Sequence, residues 1–137
     1  MKKAFFILIL LLTRFCNLVA DEPRPLFIEG YSSQLSYAPG EELKLHTSTS
    51  ARQFSIQITR RGAKNETVFS KFGIRGAEHP IPENASSHGC KWPVGFKMAI
   101  PTDWKSGYYE VSLRVEERDG KFVHRNRRSA EGSCHFI

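Results

Sequence analysis

Tyr108-Tyr109-Glu110-Val111-Ser112-Leu113-Arg114-Val115-Glu116-Glu117 is the stretch on which the fold turns. Tyr109, Val111, Leu113 and Val115 alternate with Glu110, Ser112, Arg114 and Glu116. Successive side chains of a strand point to opposite faces, so this period of two sends an apolar row toward a core and a polar row toward water. A helix needs apolar residues three and four apart, and no stretch after residue 20 sustains that spacing.

The same alternation recurs upstream. Phe54, Ile56 and Ile58 are separated by Ser55 and Gln57, and Val94, Phe96, Met98 and Ile100 by Gly95, Lys97 and Ala99. Leu43 and Leu45 lie between Glu42, Lys44 and His46, while residues 26–31, 66–72 and 121–124 give weaker strand signals. Turn-forming residues separate the runs: Ala38-Pro39-Gly40-Glu41, Arg61-Gly62-Ala63, residues 73–76, Lys105-Ser106-Gly107 and Asp119-Gly120. Short strands at this spacing predict an all-β fold, an antiparallel β-sandwich of immunoglobulin-like or related topology. Gly107-Tyr108-Tyr109, opening the clearest strand, offers the residues of a tyrosine corner.

The N-terminus has a different character. Lys2 and Lys3 precede an apolar run from Ala4 to Leu12, and Ala20 stands just before Asp21-Glu22-Pro23, the order of a secretory signal peptide. The apolar run is about half the roughly 20 residues a spanning helix needs, so cleavage and export to the periplasm or exterior is the expectation. A membrane anchor through residues 4–20 is the alternative if the segment is retained. The chain then divides into a signal peptide (1–20), a proline-rich lead-in (21–25) and one sandwich domain (26–137). Cys134-His135-Phe136-Ile137 reads as the opening of a further strand, which makes the domain look incomplete at its C-terminal end and leaves an edge open to association.

Removing residues 1–20 takes away Lys2, Lys3 and Arg14 but no acid, so the formal charge falls from +6 to +3. The remaining basic cluster, Lys121, Arg125, Arg127 and Arg128, has only Phe122 as an interleaved aromatic and reads as a solvated loop, not a nucleic-acid platform. Export also places Cys90 and Cys134 where disulfides persist. If they pair, closing a loop of about 44 residues contributes roughly 3–4 kcal/mol in the chain-entropy account, but sequence does not show that the two are close enough.

Residues 78–93, Glu-His-Pro-Ile-Pro-Glu-Asn-Ala-Ser-Ser-His-Gly-Cys-Lys-Trp-Pro, show no alternation and three prolines. Long loops in small domains are often functional, so His79, His88 and Trp92, with Trp104 nearby in sequence, are the candidates for a docking or binding surface. His79, His88 and Cys90 lack the paired spacing of a zinc site, and His88 and Cys90 lack an orienting acid for nucleophilic catalysis. Glu41-Glu42, Glu116-Glu117, Glu78 and Glu83 form no acid–base pair, and no phosphate-binding glycine loop is present. No catalytic, cofactor or metal residue is assigned. Trp92 and Trp104 are expected mainly to pack against the domain.

Several motifs also carry a family resemblance: Ile28-Glu29-Gly30-Tyr31, Tyr37-Ala38-Pro39-Gly40-Glu41, His79-Pro80-Ile81-Pro82-Glu83, His88-Gly89-Cys90-Lys91-Trp92-Pro93 and Ile100-Pro101-Thr102-Asp103-Trp104-Lys105-Ser106-Gly107-Tyr108-Tyr109. In this order they resemble, over about residues 26–118, the N-terminal β-sandwich of exported proteins similar to the large (beta) subunit of N,N-dimethylformamidase. The resemblance implies that such a sandwich precedes a larger domain, similar to glutamine amidotransferases, in which tyrosine and glutamate ligands hold a catalytic iron. No position here corresponds to those ligands. The expectation is therefore a non-enzymatic accessory domain, without a cofactor, whose partner is a catalytic domain encoded downstream. The alternative is a stand-alone extracellular module that binds a carbohydrate or protein ligand.

Overall fold

A computed structural model describes residues 24–118 and 127–137. The expected signal segment and the weak strand at 121–124 lie outside the described residues. Among those described, no helix is long and apolar enough to cross a membrane.

Seven strands form two antiparallel sheets: β1 (Ile28–Ser32), β2 (Glu42–Thr49), β3 (Gln53–Arg61), β4 (Glu66–Arg75), β5 (Val94–Ala99), β6 (Tyr108–Arg118) and β7 (Arg127–Phe136). The smaller sheet has the order β1-β2-β5 and the larger β4-β3-β6-β7. They pack as a sandwich. The alternating rows supply the core as their period requires: Leu43 and Leu45 from β2, Phe54, Ile56 and Ile58 from β3, and Tyr109, Val111, Leu113 and Val115 from β6 are all buried. At ~1.5–3 kcal/mol per fully buried large apolar side chain, these rows hold the two sheets together.

Alternation fails at one instructive point. Val94 shares its sequence phase with the buried Phe96 yet is 43% exposed. The β2–β5 register shifts between Leu45 and His46, so that Phe96 faces Leu45 while Val94 faces His46 and Gly95 is the extra residue of a bulge. A Cβ on Gly95 would stand 2.0 Å from Thr47 Oγ1, so only glycine fits this approach.

The last strand also differs from expectation. Residues 134–137 do not open a new strand; Cys134 to Phe136 complete β7, which pairs with β6 throughout its length. Arg127 and Arg128 accordingly belong to a strand and not to a solvated loop, and Arg128 pairs with Glu117 at 2.9 Å while donating to the Arg24 carbonyl. Alternation in Arg-Arg-Ser-Ala-Glu-Gly-Ser-Cys-His-Phe is too weak to announce a strand.

The two sides of the sandwich are unlike. On one, β1 and β7 approach closely: a Cβ on Gly132 would lie 2.5 Å from the Ile28 carbonyl oxygen. Ser32 Oγ donates to the His135 carbonyl, the Ile137 amide to Leu35 and the Tyr37 amide to Ile137. On the other side, β4 and β5 stand apart with no strand pairing between them.

Candidate functional site

The segment following β4 crosses the outer face of the smaller sheet and returns into β5. It contains one helical turn, α1 (Ala85–His88). Three anchors tie it down. Ala77 accepts from the Thr49 amide at 3.0 Å. The Ser48 hydroxyl, on the outward side of β2, accepts from the His79 amide at 2.9 Å and donates to the His79 carbonyl at 3.0 Å. Trp92 is 6% exposed, and its indole N–H donates to the Pro80 carbonyl at 2.9 Å, closing the segment on itself.

His46 and Tyr31 are cross-strand partners on this outer face, which explains why both serve the segment above them. Their rings stack at 4.9 Å, Trp92 lies 5.8 Å from Tyr31, and the Trp92 amide donates to the Tyr31 hydroxyl at 3.1 Å. His46 Nδ1 sits 2.6 Å from the Trp92 carbonyl. A carbonyl only accepts, so Nδ1 carries the proton, and in the neutral ring Nε2 accepts from the Ser33 hydroxyl at 2.8 Å. Of these residues only Trp92 was a site candidate from sequence; Tyr31, Ser33 and His46 were not. Nothing short of the β1–β2 register would have paired Tyr31 with His46.

Ser33, His46 and the Trp92 carbonyl have the order of nucleophile, base and orienting acceptor. Acyl transfer also needs N–H donors converging on the developing oxyanion. The amides of Ser33 and of the next residue are already used: Ser33 N donates to the Lys44 carbonyl at 2.9 Å and Gln34 N to the Tyr37 hydroxyl at 3.1 Å. The hydrogen bonds of Tyr31, His46 and Ser48 tie the covering segment to the sheet.

The sequence candidates do not converge on one surface. His79 is held through its backbone. His88 is exposed at the end of α1, with Nδ1 2.7 Å from the Ser87 hydroxyl. Trp104 has different neighbours from Trp92: it stacks on Tyr109 at 5.1 Å, and Tyr109 in turn stacks on Phe136 at 5.2 Å. The Tyr109 hydroxyl donates to the Lys105 carbonyl four residues upstream, the geometry of a tyrosine corner. Burial raises its pKa, partly offset by the nearby Arg60 guanidinium.

Cys90 and Cys134 are separate free thiols in the structure. Cys134 packs against the core from β7, and burial pushes its pKa up from 9.0 to about 11. Among the described residues no group of three or more His, Cys, Asp or Glu side chains is arranged to hold a metal ion.

No curated protein matches the chain. Among solved structures, the sporulation control protein Spo0M from Bacillus subtilis is similar at a TM-score of 0.41 and 17% identity, over 80% of this chain and 46% of that one. Residues 55–133, running from β3 into β7, match the family described as N,N-dimethylformamidase beta subunit-like, C-terminal. That description calls the matched region C-terminal, whereas the sequence resemblance placed the sandwich ahead of the larger domain. The match covers more than half of the chain, which belongs to the N,N-dimethylformamidase beta subunit-like family.

Proposed function

We propose that this chain is a non-catalytic accessory domain of an exported, dimethylformamidase-like protein, and that its work is to pack against or orient a catalytic domain carried elsewhere. The observation that supports this most is the use made of the reactive-looking side chains. His46, Ser48, Tyr31 and Trp92 direct their polar atoms at the covering segment and at one another. What they produce is a fixed outer surface with Ile81 64% exposed on it, suited to docking. Family membership supplies the context in which a catalytic partner is expected.

The test is direct. Mature protein, supplied with ferrous iron and assayed on N,N-dimethylformamide and simple amides, is expected to show no hydrolysis above buffer and to retain no stoichiometric iron after desalting. One iron per chain, lost in His88→Ala or Cys90→Ala, contradicts the proposal.

A further inference from the structure

We propose that the open side of the sandwich, between the β4 and β5 edges, binds an extended acidic polypeptide segment as an added strand. A groove of about 690 Å³ runs there. Both strands bordering it have one edge without a strand partner, leaving backbone donors and acceptors directed outward. Such an edge is the usual acceptor of an added strand, where main-chain hydrogen bonds give affinity and alternate side chains give selectivity.

The groove's charge states which strand it takes. Lys44, Lys71, Arg75 and Lys97 line it against a single acid, Glu42. Glu42 lies between Lys44 at 3.5 Å and Lys97 at 3.4 Å, while Lys71 and Arg75 have no carboxylate partner among the described residues. Lys71 Nζ stands 5.4 Å above the Phe96 ring, which floors the groove together with the exposed Val94. Lysines on edge strands keep sheets from pairing with one another. Here they oppose pairing with the open β4 and β5 edges of a second copy, which bear the same cations, and admit a strand of opposite charge. An alternating segment about as long as the six-residue β5 would set carboxylates against the cations and apolar side chains toward Phe96. An acidic polysaccharide satisfies the cations but leaves the strand-to-strand backbone pairing unused. No residue of the covering segment lines the groove, and the inference stands whether or not the chain is catalytic.

Fluorescence anisotropy with a labelled decapeptide of alternating glutamate and valine tests it on the mature chain. Saturable binding is expected, weakened about tenfold by Lys71→Gln/Lys97→Gln, in line with the loss of two exposed ion pairs. N-methylation of alternate peptide nitrogens is expected to abolish it, and the corresponding lysine–valine peptide not to bind. Both lysines are exposed, so the double variant should unfold at the parent's midpoint, and circular dichroism checks this. Absence of binding at millimolar peptide, or equal binding by the double variant, overturns the proposal. So does competition by polygalacturonate together with unchanged binding of the N-methylated peptide, which would assign the groove to an acidic glycan.

Discussion

Trp92 and His88 are only four residues apart, yet the structure gives them opposite weights. Trp92 is buried, donates its indole N–H to Pro80 and offers its carbonyl to His46, whereas His88 is exposed. Trp92→Ala is expected to destabilise the domain by roughly 3–5 kcal/mol, as deletion of a buried tryptophan does. His88→Ala should stay within about 0.5 kcal/mol of the parent. Denaturant unfolding followed by circular dichroism measures both, and an unchanged midpoint for Trp92→Ala would make that side chain a surface ligand. Cys134 supplies a pH prediction. Its folded pKa of about 11 lies above the ordinary 9.0, so above pH 9 the unfolded chain releases this proton more readily than the folded one. The thiol's contribution is thus fully present below pH 9 and lost as pH rises toward 11. The parent should lose stability over that interval more steeply than Cys134→Ala, and equal slopes would contradict the burial of the thiol.

At the scale of elements, the seam between β1 and β7 depends on close backbone approach. Gly132→Ala places a methyl group against the Ile28 carbonyl, which cannot move without shifting β1, and should cost about 1–3 kcal/mol as overpacking does. Ser129→Ala, exposed on the same strand, serves as the near-neutral control, and thermal unfolding compares the two. The sheets' inner faces were legible from sequence because period two is a local property: Tyr109, Val111, Leu113 and Val115 are buried as their alternation requires. β7 was not, because Arg127 to Phe136 alternates poorly and takes its structure from pairing with β6. Val94 was misread for a related reason, since a bulge at Gly95 is a relation between two strands and leaves no trace in one. The site divides in the same way. Its covering segment stood out by its prolines and lost alternation, while beneath it His46 read only as a polar position of an alternating strand and neither Tyr31 nor Ser48 was a site candidate.

For the whole molecule, the proposal of export predicts a mature chain beginning at Asp21 or within a few residues of it, read by intact mass on exported material. Retention of residues 1–20 in a membrane fraction would favour an anchor. The central claim is that the polar cluster under the covering segment serves architecture and not chemistry. Native-state hydrogen exchange of the mature chain tests this most directly, because the amides of His79 and Trp92 donate to Ser48 and Tyr31 from the segment itself. If the segment is an integral layer of the sandwich, these two amides open only with the domain and exchange as slowly as those of β3 and β6. Exchange at the rate of exposed turn amides, while β3 and β6 stay protected, would show a segment that opens on its own and would contradict the account.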